Sequence, residues 1–139
     1  MNLTQHFSLE ELTHTGTGIE NTPNDKQIEN LKKLAQLLEQ IRIIVGRPII
    51  INSAFRSKDV NLAAGGKKTS AHLDGYAADI RISGMTNVQI CKSIYEAGIK
   101  FDQMIDENSK GGQWVHISCA PTMRQQWLIF TNGSYEVSK

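Results

Sequence analysis

From Asp25 onward the apolar residues fall at Ile28, Leu31, Leu34, Leu37, Leu38, Ile41 and Val45. Steps of three and four gather them on one helical face. Asn24 or Asp25 is the expected cap, Gly46 the stop, and Pro48 follows just beyond. Upstream, Ser8 with Glu11 three positions later predicts a short capped helix, and "TGTGIENTPND" predicts a loop. Downstream, "PIIINSAF" reads as a buried strand, and "SKDVNLAAGG" as one or two helical turns ended by Gly65 and Gly66. In "YAADIRI" the period changes to two. Ala78, Ile80 and Ile82 share one face, and Ala77, Asp79 and Arg81 the other. "MTNVQICKSIYEAG" returns to helical spacing, with Thr86 as cap, Val88, Ile90, Cys91, Ile94 and Tyr95 inward, and Gly98 as stop. "KFDQMIDE" and "QWVHISC" are strand-like and joined by the glycine-bearing "NSKGG". "RQQWLIFT" is one more strand, ended by an "NGS" turn. Helices first, then strands with one helix between, predict an α+β fold: a small, mostly antiparallel sheet with helices packed on one side.

A length of 139 residues suits a single domain spanning 1–139, expected to be a monomer. The formal net charge of +1 gives no electrostatic case for nucleic acid or a membrane surface. No apolar run is long enough to span a bilayer, and "MNLTQHFSLEEL" lacks the basic and apolar regions of a signal peptide. The expected location is therefore cytoplasmic when made. Cys91 and Cys119 show no CxxC spacing and read as two free thiols.

The candidate chemistry lies in "TSAHLDGYAADIRI" and "QWVHISC". Alternation places Trp114, His116 and Ser118 on one strand face, while Asp79 points away from the apolar side of its own strand. If the strands are neighbours, Asp79 and His116 project into one cleft. A tight turn at Gly75 would bring His72 back over it. Two histidines and one carboxylate form a catalytic zinc set that leaves a coordination position open for water. Such a site needs a non-ligand carboxylate near the water. Glu107 is the candidate, because hairpin pairing would bring it beside His116. Asp106 and Asp74 are rivals. Asp106 has the wrong parity if Gln103, Ile105 and Glu107 face the cleft, and Asp74 reads as a turn residue beside Gly75. His6 and His14 read as ordinary surface or capping histidines. Trp114 either packs beside the site or lines a substrate groove, and Trp127 with Phe130 reads as core or end-strand packing. Gly65 and Gly66 form a structural turn, with no phosphate-cradling pattern. Lys67 and Lys68 are either solvated charge or a lure for an anionic peptide.

Taken in order, "INSAFRS", "GG…TSAHLDGYAADI", "FDQMIDE" and "WVHIS" resemble the zinc D-alanyl-D-alanine peptidase family, most closely its phage and bacterial peptidoglycan peptidases. The resemblance covers about residues 8–120, and hedgehog signalling domains have a similar zinc fold. It implies Zn2+ on His72, Asp79 and His116, and Glu107 as the base. It further implies that Arg56 holds substrate and polarises its carbonyl, and that Ser70 binds the substrate's terminal carboxylate. The implied function is hydrolysis of peptidoglycan stem peptides at the cell wall, with D-Ala-D-Ala carboxypeptidase activity as the lead specificity. Cleavage of L-Ala-D-Glu or of a cross-link, as in endolysins, is the alternative within that class, and a non-catalytic zinc-bearing binding module the alternative outside it. Many members of the family carry the catalytic acid three residues before the second histidine. Here that residue is Gln113, which cannot take a proton, so the role passes to Glu107.

Overall fold

A computed structural model describes residues 1–139. The chain runs α1 (Leu9–Leu12), α2 (Asp25–Val45), β1 (Ile50–Ser53), α3 (Lys58–Ala63), a 3-10 turn (Ala71–Asp74), β2 (Ala77–Arg81), α4 (Asn87–Glu96), β3 (Gln103–Ser109), β4 (Gly112–Ser118), β5 (Gln126–Thr131) and β6 (Ser134–Val137). Local chemistry explains most of the boundaries. Asn24 caps α2 by accepting from the Gln27 N–H, and the Gln27 side chain accepts from the Asn24 N–H in return. Gly46 ends that helix at φ 64°. Thr86 and Gln89 make the same reciprocal cap on α4. Ser8 accepts from the Glu11 N–H at the start of α1.

The six strands form one sheet in the order β1-β2-β4-β3-β5-β6. The α+β expectation holds, but the sheet is mixed: β5 pairs parallel to β3, whereas the other neighbours are antiparallel. The chain leaves β4, passes the end of β3 and enters β5 in the direction of β3. Strand β6 then returns through the "NGS" turn, so that turn opens a hairpin and does not close the sheet.

Strand parity divides the sheet into two faces. Ala78, Ile80, Met104, Val115, Ile117 and Trp127 join Leu31, Leu34, Leu38 and Ile41 of α2, and Ile90 and Ile94 of α4, in one buried cluster. Burying a branched aliphatic side chain is worth about 1.5–3 kcal/mol, so this face supplies the main drive for folding. The opposite face carries Asp79, His116, Ile105, Glu107 and Trp114. The short α3 and the 3-10 turn border this second face, so the helices do not all lie on one side. The chain must cross there to set His72 against Asp79.

Two further expectations fail for one reason, that composition does not reveal what covers a surface. Strand β1 is an edge strand, and Ile50 is 42% exposed; the buried members of its run are Ile49, Ala54 and Phe55, outside the strand. Val88, expected inward, is 56% exposed on the first turn of α4. Cys91 and Cys119 are free thiols. Burial pushes Cys91 up to about 12 and Cys119 up to about 11. No helix is long and apolar enough to cross a membrane.

Candidate metal centre

The site begins with pairing register. Asp79 of β2 sits directly across from His116 of β4, so their side chains leave the sheet on one face. Asp79 also faces Ser53 of β1. The third member comes from the 3-10 turn. Ser70 opens this turn by accepting from the His72 N–H at 3.2 Å. Gly75 closes it at φ 81°, where a Cβ would stand 2.9 Å from the Gln27 carbonyl oxygen. The turn therefore packs tightly on α2, and Asn30 donates to the Asp74 carbonyl across the same junction.

His72 is held in one tautomer. Its Nδ1 lies 2.6 Å from the Ala54 carbonyl oxygen, which can only accept, so Nδ1 carries the proton. Burial lowers the pKa of this imidazole, against the pull of the neighbouring Asp79. The neutral ring leaves a lone pair on Nε2, and Nε2 is 3.3 Å from Asp79 Oδ1. Two lone-pair atoms then face each other in a buried place, an arrangement that calls for a cation. His116 brings Nδ1 to 3.2 Å from the same carboxylate oxygen, and the three donor atoms all lie within 4.8 Å of one another.

A tetrahedral zinc ion with ligands at 2.0–2.1 Å sets neighbouring donors about 3.3 Å apart, which matches both separations. The donor set thus fits zinc in chemistry and in its two separations from Asp79, with His72 and His116 within 4.8 Å of each other. The donors are themselves held in place: the Ala54 carbonyl orients His72, and Arg56 donates from Nη2 to Asp79 Oδ2 at 3.2 Å. Burial raises the Asp79 pKa, but positive charge and N–H donation on the side of the two imidazoles outweigh it and hold the carboxyl well below its ordinary value, so the carboxylate too calls for a cation there.

The donors lie at the floor of a cleft of about 300 Å³ that also takes in Arg56, Ser70, Ile105, Glu107 and Trp114. Glu107 is not directly beside His116. Ser109 pairs with Gly112 around a turn of Lys110 and Gly111, and this sets Ile105 opposite His116 and Glu107 opposite Trp114. Glu107 is the diagonal neighbour of His116 on the same face. Burial raises its pKa, as does the Asp79 charge, while His116, the Trp114 indole and Arg56 oppose the rise. The Trp114 indole Nε1 is itself buried without a hydrogen-bond partner of ordinary geometry.

Arg56 is more occupied than the sequence suggests. Nε donates to Ser53 Oγ at 3.1 Å and Nη1 to Asn61 Oδ1 at 3.4 Å, besides the bond to Asp79. Five N–H groups less three leave two for a substrate. Asp106 points to the opposite face, where Asn87 of α4 donates to its Oδ1 at 2.8 Å. Asp74 sits in the 3-10 turn. His6 bonds Glu39 instead of joining the cluster, and Gln113 lies in the hairpin opposite Asn108. Sequence reasoning missed Tyr135 of β6, which lines the cleft. It reaches the site through non-local pairing, and no local signal marks it.

The family model described as Peptidase M15 matches residues 5–118, which contain the three clustered donors, Arg56, Ser70 and Glu107. Strands β5 and β6 lie beyond the matched residues. No curated protein matches the chain. With most of its length covered by that family model, the chain belongs to the peptidase M15 family.

Proposed function

We propose that the protein is a zinc metallopeptidase that hydrolyses peptidoglycan stem peptides, with D-Ala-D-Ala carboxypeptidase activity as its lead specificity. The observation that carries this reading is the convergence of His72, Asp79 and His116 within 4.8 Å in a cleft that also holds Glu107 and Arg56. Zinc bound by the three donors would activate water and polarise the scissile carbonyl. The remaining work falls to the chain. Glu107, with its raised pKa, takes a proton from the attacking water and returns it to the leaving amine nitrogen. The two spare N–H groups of Arg56 stabilise negative charge on the carbonyl oxygen. Ser70 already accepts from the His72 N–H, so its hydroxyl proton is free to bond the substrate's terminal carboxylate. Trp114 and Ile105 wall the cleft and limit access of bulk water.

The test is digestion of peptidoglycan by zinc-loaded wild type and Glu107→Ala, with product masses read out. Loss of one terminal D-Ala from stem peptides is the expected result. Masses from cuts at L-Ala-D-Glu or at a cross-link would replace the carboxypeptidase assignment with an endopeptidase one. Absence of any zinc-dependent product would overturn the peptidase assignment and leave a zinc-bearing binding module.

A further inference from the structure

The cleft has two walls that are distant in sequence. One is the loop after α3, with Gly65, Gly66 and Lys67, and the other combines β3, β4 and Tyr135 of β6. Lys67 Nζ reaches across and lies 5.2 Å from the centroid of the Tyr135 ring, within the range of a cation–π contact. Both partners are anchored behind the contact. The Lys67 carbonyl accepts from Asn61 Nδ2 at 2.9 Å, and Asn61 Oδ1 accepts from Arg56. Tyr135 packs edge-on against Phe130 at 4.6 Å, and Phe130 is the β5 residue registered to Glu107. The ammonium therefore sits at the cleft mouth on a backbone tied to Arg56, over a ring tied to the Glu107 position.

Charge completes the case. Lys67 has no carboxylate partner, whereas the Asp79 carboxylate is engaged by Arg56 and two imidazoles. The cation is exposed and uncompensated, and its aromatic neighbour fixes its place without consuming its hydrogen-bond donors.

We propose that Lys67, held over Tyr135, is a specificity subsite for a free carboxylate of the peptide substrate, separate from the hydroxyl of Ser70. This assignment rests on the peptidase reading above and adds a substrate requirement: an acidic peptide, preferred over its amidated counterpart. Because Tyr135 lies beyond residues 5–118, the matched family segment does not by itself supply this wall.

The experiment uses the zinc-loaded full chain and a set of synthetic stem peptides, each offered with its carboxylates free and with one carboxylate at a time converted to carboxamide. Cleavage and, by calorimetry, binding are measured for wild type, Lys67→Met, Lys67→Arg and Tyr135→Ala. For one amidated position, wild type is expected to prefer the acid about tenfold in KM, the weight of a charge-assisted hydrogen bond. Lys67→Met should abolish that preference, Lys67→Arg should retain it, and Tyr135→Ala should reduce it in part. Melting temperatures near wild type would show that the exposed substitutions act on recognition. Cleavage with the same acid preference in wild type and Lys67→Met would overturn the subsite alone. A Lys67-dependent acid preference in binding, with no cleavage, would keep the subsite and overturn the peptidase reading. Neither cleavage nor binding of any peptide would overturn both.

Discussion

Asp79 and Asp102 are both buried, and each is paired with an arginine, yet they do different work. At Asp102 every partner donates a hydrogen bond. Thr122 Oγ1, the Arg124 N–H and Arg124 Nε donate to Oδ1 at 2.8, 3.0 and 2.9 Å, and Arg124 Nη2 donates to Oδ2 at 2.9 Å. No partner offers a lone pair, so the carboxylate has no second ligand with which to hold a cation. At Asp79, Oδ2 has one donor, and Oδ1 faces two imidazole nitrogens at 3.2 and 3.3 Å. His72 Nε2 offers a lone pair of its own, because Nδ1 holds the proton against Ala54, and a cleft lies above the three groups. Burial and an ion pair thus do not identify a reactive site. The decisive difference is whether the partners donate hydrogen or offer electrons.

The comparison can be broken most sharply at the electron-rich site. His116→Ala is expected to abolish copurification of zinc and to reduce peptide hydrolysis by about a thousandfold or more. Metal analysis beside a rate assay checks both. Glu107→Gln separates metal from turnover: zinc content should stay at the wild-type level while kcat falls about 10²–10⁴-fold. Loss of zinc in that variant would make Glu107 a ligand. At the donor-filled site the effects are on stability. Arg124→Ala should cost about 1–2 kcal/mol in denaturant unfolding, a value discounted because Arg124 is half exposed. Zinc content should not follow this loss. The smallest effect is its pH dependence. Arg124 and Thr122 hold the Asp102 carboxyl at about 2, below its ordinary 3.8. A carboxyl depressed in the folded state stabilises fully above its unfolded pKa. The difference between wild type and Arg124→Ala should therefore be constant at neutral pH and shrink as pH falls from 3.8 through about 2. A difference that stays constant down to pH 2 would remove Asp102 as its source.

Much of this contrast was legible in the sequence on one side only. Period-two alternation placed Asp79 and His116 on polar faces, and glycine at position 75 marked the turn that returns His72. These are local signals, set by strand pleat and by a positive φ. Asp102 and Arg124 carry no such mark. They lie near the starts of two strand-like runs, "KFDQMIDE" and "RQQWLIFT", and only the parallel entry of β5 beside β3 brings them together. The same non-local step hid β6 and Tyr135. The run "PIIINSAF" misled for a related reason, since apolar content reports that something is covered but not which residues. The offset of Glu107 from His116 depended on a turn of Lys110 and Gly111, and a loop rich in glycine allows several registers.

The parallel pairing of β5 with β3 also orders events in time. The β3–β4 hairpin closes through a two-residue turn, so His116 and Glu107 are joined by local contacts that form early. Strands β5 and β6 pair with each other through an equally short turn, but their docking on β3 must wait for that edge to exist. A nascent chain would thus complete the strands that carry Asp79 and His116 before the wall that holds Tyr135. Mutational φ-values lower at Trp127 and Leu128, which face β3, than in the β3–β4 hairpin would record that sequence.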